Sequence, residues 1–215
     1  MVSAWIGVIA CATHIVYTER GISSTLGSPL MRGRLSRSTI ELLYTGGTVL
    51  LATVAGIIVF STIGPPPAIF PMNPLIFAGL ATAVTILAAL PQDDASFHEP
   101  RRMRRLLLCL GGGAEEVLWR GAGISSLAYL GLPMPWAHII ITVGFTAIHL
   151  ERYGRRGLGF IAIFSLFMAV TTWLLGLLIA VFFHVSWNAF MCLRRHTYRP
   201  SPGTRLVQRR PTDEW

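Results

Sequence analysis

Residues 106–130 read LLLCLGGGAEEVLWRGAGISSLAYL, an apolar stretch that carries three ionisable side chains in its interior. A helix needs about 20 predominantly apolar residues to cross the hydrocarbon core of a bilayer. A charge at the bilayer centre costs at least about 2.5–3.5 kcal/mol on insertion scales. The three charged residues, Glu115, Glu116 and Arg120, therefore need a structural or a chemical reason to be there.

The chain as a whole has the composition of a membrane protein. Of its 215 residues, 53% are hydrophobic and 13% are charged, whereas ordinary soluble domains have about 45–50% and about 25%. All 18 basic residues are arginine, and the net charge is +8. In so apolar a chain, this excess indicates cytoplasmic loops and not contacts with nucleic acid. The three cysteines lie far apart without a CxxC spacing, which predicts neither a disulfide framework nor a cysteine metal site.

The arginines divide the chain into apolar stretches. Seventeen of the eighteen fall in four clusters, at residues 20–37, 101–105, 152–156 and 194–210. The apolar stretches lie at residues 2–17, 40–90, 106–150 and 157–193. The last three are long enough for two crossings each and have arginines at both ends, so both ends are expected in the cytoplasm. With one helix at the start, the pattern predicts seven spans, with the N-terminus outside and the C-terminus inside.

The predicted fold class is therefore all-α, a polytopic transmembrane helical bundle of about seven spans in a prokaryotic plasma (inner) membrane. Helices are expected because backbone polar groups in lipid must be hydrogen-bonded within the protein. Three regions follow: residues 1–105 with N-terminal transmembrane helices and basic loops, residues 106–193 as a transmembrane core, and residues 194–215 as a basic cytoplasmic tail. Loop-like breaks are expected at residues 64–74 and 131–135. The glycines at 111–113 suit close packing of helices.

Helical geometry separates the two glutamates. Glu116 and Arg120 are four residues apart, roughly 40° around the helix axis, and can form an ion pair. Glu115 and Arg120 are roughly 140° apart at 3.6 residues per turn. Glu115 is then a buried carboxylate without a partner on its own helix, which makes it a candidate general base. The plainer interpretation of the three charges is an ion pair that helps the helices assemble.

Two histidines have informative neighbours. His149 follows Phe145 by one helical turn, and His184 precedes Asn188 by one turn on the same face of the last apolar stretch. Taken alone, each could simply make a hydrogen bond between helices. Of the other four, His14 and His138 are predicted to pack within apolar helices, and His98 and His196 to be solvated in charged loops.

The depths of these residues agree. At 1.5 Å per residue, Glu115 lies roughly 15 Å in from Arg105, and His184 lies roughly 15 Å in from Arg194. His149 is close to the cytoplasmic end of its stretch. Residues from three separate helices are therefore predicted to converge in the cytoplasmic half of the bilayer.

Three motifs carry a family resemblance: EExxxR at 115–120, FxxxH at 145–149 and HxxxN at 184–188. In this order, and on separate spans, they resemble the CPBP family of intramembrane proteases. This is also called the CAAX protease and bacteriocin-processing (Abi) family, and its eukaryotic relative is the Rce1-type prenyl protease. All three motifs match without substitution. The resemblance covers about 90 residues, and residues 1–105 contribute nothing to it.

The resemblance implies that a peptide bond is hydrolysed within the membrane. In the family's pattern, Glu115 would activate water and His149 would help to hold it. His184 and Asn188 would stabilise the oxyanion of the tetrahedral intermediate. The substrate would be a membrane-associated or C-terminally processed protein or peptide, such as a prenylated CAAX tail, a bacteriocin leader or a C-terminal sorting signal. The supporting residues would be Glu116, Arg120 and Phe145.

A metal is an open alternative. Glu115, His149 and His184 could form a zinc site with one carboxylate, two histidines and an open position for water, and the family is often labelled a metalloprotease. We favour a mechanism without a cofactor, because ligation by all three would leave Asn188 alone at the oxyanion. No base would remain either, unless Glu116 left Arg120. An HExxH pair on one helix is also absent from the sequence.

Two other classes of function compete with the protease. Intramembrane glutamate and histidine also build proton relays, so a proton-coupled transporter or channel is one alternative. It requires such residues through both leaflets, whereas the outer half here has almost none except His138. A non-catalytic immunity or binding protein of the same fold is the other alternative. For the protease, the expected partners are membrane lipid and a peptide or protein substrate, without nucleic acid.

Overall fold

A computed structural model describes residues 1–18, 37–69 and 100–197, and within these ranges every regular element is a helix. The predicted all-α class is confirmed. A π-helical segment, Val117–Gly123, joins the third and fourth helices without a break, so that residues 100–129 form one continuous helix. The α-helices are α1 Val2–Val16, α2 Arg37–Thr62, α3 Pro100–Glu116, α4 Ile124–Tyr129, α5 Met134–Ala147, α6 Leu150–Leu175 and α7 Leu177–Thr197.

Among the described residues, two helices are long and apolar enough to cross a bilayer: Thr39–Thr62 within α2 and Gly157–Leu175 within α6. They expose large apolar side chains, such as Leu50, Ile57 and Ile163, as expected for a surface in contact with lipid. Shorter apolar helices lie at Val2–Val16, Met134–Ala147 and Leu177–Met191. The span predicted after residue 74 lies outside the described residues, and the count of seven spans stays a prediction.

Glycines mark the breaks between helices. Gly64, after the end of α2, and Gly131, between α4 and α5, have φ values of +92° and +95°. Both lie at the breaks expected from the sequence. Gly176 separates α6 from α7 with φ +98°. These left-handed conformations favour glycine because a Cβ would be strained there. Since α7 continues to Thr197, His196 lies in the last turn of a helix and not in the predicted loop. His98 lies outside the described residues.

The glycines at 111–113 bring α3 close to two neighbours. A Cβ added to Gly113 would lie 3.4 Å from the Val185 side chain of α7, and one added to Gly111 would lie 3.6 Å from Thr45 of α2. Close helix packing at these glycines is therefore confirmed. It brings the glutamates at the end of α3 within reach of both α2 and α7.

The π-helical segment lies at the centre of the packed helices. Its residues 118–123 are all buried. A Cβ on Gly121 would lie 2.6 Å from the Phe60 ring, and one on Gly123 would lie 3.0 Å from Cys11 Sγ. The 3.6-residue turn assumed in the spacing argument does not hold beyond Glu116, where the helix is π-helical. The buried apolar cluster consists of Ala10, Cys11, Ala52, Ala55, Val59, Leu118, Trp119, Ala122, Ile124, Ala137, Ile141, Phe145 and Ile148.

Candidate active site

Glu115 lies near the end of α3, and only 5% of it is exposed. The hydroxyl of Tyr44, on α2, donates a hydrogen bond of 2.6 Å to Glu115 Oε1. The other oxygen, Oε2, lies 3.9 Å from Nε2 of His184 on α7. This distance is too long for a direct hydrogen bond. It is short enough for a water molecule or a substrate atom beside the pair to contact both groups.

Glu116 is completely buried and binds two partners through one oxygen. Arg120 Nη1 donates to Glu116 Oε1 over 3.3 Å, which is the ion pair predicted from their spacing. His184 Nδ1 lies 2.6 Å from the same oxygen. Because an ionised carboxylate can only accept, His184 donates from Nδ1. Nε2, on the opposite side of the ring, is left facing Glu115.

Arg120 connects three helices. Its Nη2 donates to Ser165 Oγ over 2.8 Å and to the Ser165 carbonyl over 3.4 Å, both on α6. Its guanidinium carbon lies 4.0 Å above the ring of Phe145 on α5. A guanidinium over an aromatic face is attracted by the ring quadrupole. The charge of Arg120 is thus compensated inside the protein by Glu116 and by Phe145.

His149 and Phe145 lie at the α5 end of the site. His149 Nδ1 is 2.9 Å from the Phe145 carbonyl oxygen, which can only accept, so the proton is on Nδ1. The two rings are 4.6 Å apart between centroids. The Phe145 ring is also 6.4 Å from that of His184. Phe145 therefore lies between the two motif histidines and under Arg120.

Asn188 lies one turn after His184 and is half-buried. Its Nδ2 donates to the Leu108 carbonyl oxygen of α3 over 2.9 Å. An amide nitrogen carries two hydrogens, so a second donor stays available for another acceptor. A Cβ added to Gly112 would lie 2.5 Å from Asn188 Nδ2 and 2.9 Å from Cδ2 of His184. Because Gly112 has no side chain, Asn188 and His184 can approach the α3 backbone closely at this position.

The structure thus brings the three motifs to one place. Glu115, Glu116 and His184 are in direct proximity, and His149 and Asn188 join them through Phe145 and the surface beside Gly112. Across the described ranges, no three His, Cys, Asp or Glu side chains form a group that could hold a metal ion. The zinc site of Glu115, His149 and His184 stays an alternative.

Sequence reasoning missed Tyr44 and Ser165, because both contact the site from other helices. The only signal in the sequence was a hydroxyl-bearing side chain inside an apolar helix. His14, predicted to pack, is buried but also hydrogen-bonded: Trp119 Nε1 donates to its Nδ1 over 3.1 Å, and its Nε2 lies 2.9 Å from Thr48 Oγ1. His138 packs as predicted.

In the part of the chain that the structure describes, packed helices enclose a buried carboxylate–histidine centre. Residues 103–190 match the family model of Rce1-like proteins, described as type II CAAX prenyl endopeptidase Rce1-like. This match confirms the resemblance that the three motifs carry to the CPBP, or CAAX protease, family, over residues 103–190. No curated protein and no solved structure matches the chain significantly.

Proposed function

We propose that the protein is an intramembrane endopeptidase in which Glu115 activates the water molecule that attacks the peptide bond. The observation that carries the proposal is the pair formed by Glu115 Oε2 and His184 Nε2, 3.9 Å apart in a buried site. A base and a hydrogen-bond donor at this separation can contact a water molecule and a substrate carbonyl at the same time.

Glu115 has the environment of a general base. Its carboxylate is buried, and one oxygen is held by Tyr44. The guanidinium of Arg120 makes its hydrogen bonds with Glu116 and Ser165. Oε2 is then the oxygen that takes the proton from water. We assign to His149 the task of holding this water molecule.

His184 has the environment of an oxyanion donor. Glu116 accepts the proton of Nδ1, so a second proton on Nε2 makes an imidazolium that the Glu116 carboxylate stabilises. A carboxylate that orients and stabilises a histidine in this way is a familiar element of hydrolase sites. The second amide hydrogen of Asn188 supplies the other donor.

The reaction balances with these groups alone. Water attacks the carbonyl carbon and gives a proton to Glu115, while the carbonyl oxygen becomes an oxyanion held by His184 and Asn188. When the C–N bond breaks, the proton moves from Glu115 to the leaving amine. The products are a new carboxylate and a new amino terminus, and no metal takes part in any step.

The wider setting is also proposed. The four arginine clusters would face the cytoplasm of a prokaryotic cell, with seven spans and the site in the cytoplasmic half of the membrane. The substrate would be membrane-associated. A prenylated CAAX tail is the substrate class that the name of the matching family suggests, and a bacteriocin leader or a C-terminal sorting signal is an alternative.

Cleavage by the purified protein in liposomes tests the proposal. The probes are a farnesylated CAAX peptide, a bacteriocin leader peptide and a peptide with a C-terminal sorting signal, each analysed by mass spectrometry. We expect one defined cut by the wild type and by the control Glu41→Gln, and the same cut by Glu115→Gln at a rate about a hundredfold to ten-thousandfold lower. Proton flux through the same liposomes without cleavage would favour a transporter. Binding of a probe without cleavage would favour the immunity or binding protein.

A further inference from the structure

We propose that α2, which lies outside the residues that match the family, completes the active site through Tyr44 as a positioning residue. Tyr44 fixes the Glu115 carboxylate so that Oε2, and not Oε1, meets the reacting water. The proposal deepens the proposed function and rests on it. It gives a role in the reaction to the N-terminal half of the chain, where no motif was recognisable.

The first support is the hydrogen bond itself. The Tyr44 hydroxyl and Glu115 Oε1 are 2.6 Å apart, a short distance typical of a neutral donor with an ionised acceptor. With Oε1 held, rotation of the carboxylate would break this bond in a buried site, which is unfavourable. The other oxygen is therefore held toward His184 Nε2.

The second support is that the backbone of α2 at Tyr44 is connected by hydrogen bonds to the helix that carries Glu115. One turn later, Thr48 donates to the Tyr44 carbonyl over 2.8 Å and is in contact with His14 Nε2. His14 in turn accepts from Trp119. Trp119 directly precedes Arg120, so this chain of hydrogen bonds ties α2 to the segment that carries the EExxxR motif.

The third support is the close approach of the two helices. Gly111 of α3 faces Thr45 of α2, the residue next to Tyr44, where a Cβ would lie 3.6 Å from Thr45 Oγ1. Thr45 Oγ1 also lies 3.4 Å from the Leu107 carbonyl of α3. Tyr44 therefore reaches Glu115 from a helix whose next residue, Thr45, is in contact with two turns of α3 before Glu115.

A positioning role and a purely structural role predict different results for Tyr44→Phe. If the hydroxyl only satisfies a buried carboxylate, its loss lowers stability and affects binding and turnover together. If it positions the base, kcat falls while KM stays close to that of the wild type, because the interaction matters in the transition state. The loss also vanishes in a Glu115→Gln background, since members of one catalytic unit are not additive.

The experiment compares the wild type, Tyr44→Phe, Glu115→Gln and the double variant, with the cleaved probe peptide in liposomes. The matched control is Tyr17→Phe, whose hydroxyl donates to the carbonyl of Leu43, next to Tyr44, but not to Glu115. For Tyr44→Phe we expect kcat to fall about tenfold to a hundredfold, the scale of a lost hydrogen bond to a charged group. Tyr17→Phe should keep the wild-type kcat.

The outcomes separate the two proposals. If Glu115→Gln cleaves about a hundredfold or more slowly than the wild type, but Tyr44→Phe keeps the wild-type kcat, the positioning role is wrong and the protease stands. The positioning role is also wrong if Tyr44→Phe lowers kcat by the same factor in the Glu115→Gln background. A fall in kcat of the same size in Tyr17→Phe would overturn it as well. If no probe is cleaved, the same proteins are compared by thermal unfolding. Additive changes in Tm would then overturn the hydrogen bond on which the proposal rests, and coupled changes would support it.

Discussion

Glu116 and His184 are joined by a hydrogen bond of 2.6 Å that links α3 to α7 through the same carboxylate oxygen that binds Arg120. Among the described residues, the other oxygen of Glu116 has no hydrogen-bond partner. One oxygen thus serves both a permanent cation and a titratable ring. Glu116 therefore forms the ion pair with Arg120 and also accepts the hydrogen bond from His184. Substitution of Arg120 should mainly lower stability, whereas substitution of His184 should mainly lower the cleavage rate.

Arg120→Ala should destabilise the protein strongly. It leaves Glu116 as a buried charge without its guanidinium, and breaking a buried pair in this way typically costs about 3–5 kcal/mol. It also removes the bonds to Ser165 and the contact with Phe145. We expect low protein levels and a reduced Tm in detergent, whereas Arg105→Ala, on the same continuous helix, should behave as the wild type. A normal Tm for Arg120→Ala would mean that the pair contributes nothing to the fold.

Glu115→Gln should keep the protein folded while removing activity. The substitution preserves volume and removes a desolvated charge, so stability should be unchanged or slightly higher. The cleavage rate should fall about a hundredfold to ten-thousandfold, the range for a lost general base. The double variant Glu115→Gln/His184→Ala should cleave only slightly more slowly than Glu115→Gln alone, because members of one catalytic unit are not additive. Cleavage near the wild-type rate by Glu115→Gln would leave the three charges as a structural ion pair.

Gly112→Ala tests the close approach of the proposed oxyanion donors to α3. The new Cβ would lie 2.5 Å from Asn188 Nδ2 and 2.9 Å from the His184 ring, so both side chains must shift. Loss of an oxyanion donor typically costs about a hundredfold to a thousandfold in kcat. The control is Gly159→Ala, whose Cβ would meet nothing within 4 Å. Equal kcat values for the two variants would show that the close approach of Asn188 and His184 to Gly112 does not matter for cleavage.

Chelation tests the mechanism without a metal. If Glu115 acts as the base, dialysis against a chelator should leave the cleavage rate unchanged. Loss of activity, restored by added zinc, would make Glu115 a ligand. The measurement should include metal analysis of the purified protein, so that a metal bound too tightly to be removed is detected.

Labelling of introduced cysteines tests the orientation. Because positive charge is retained in the cytoplasm, Ser201→Cys, in a background with the native cysteines replaced by alanine, should be labelled only after the membrane is permeabilised. A reagent that cannot cross the membrane but labels this position in intact cells would overturn the predicted topology. It would also move the active site to the outer half of the bilayer.

The site shows what sequence patterns could and could not predict. The pair of Glu116 and Arg120 was predictable because both residues lie on one helix, where spacing fixes the geometry. The contacts of Tyr44 with Glu115 and of Ser165 with Arg120 were not, because they depend on how separate helices pack. The π-helical segment was also not predicted, because the spacing of apolar and charged residues was interpreted with the 3.6-residue turn of a regular α-helix.

The bond between His14 and Trp119 has a consequence for dissecting the protein into fragments. Residues 103–190 match the family, but the indole of Trp119 is buried against α1, and the carboxylate of Glu115 is held by α2. A truncated chain that starts at residue 100 would expose both groups and the apolar surface around them. The region that matches the family is therefore smaller than the unit that can fold on its own. Co-expression of residues 1–69 with the truncated chain should restore the contacts of Trp119 and Glu115, and with them the stability of the truncated chain.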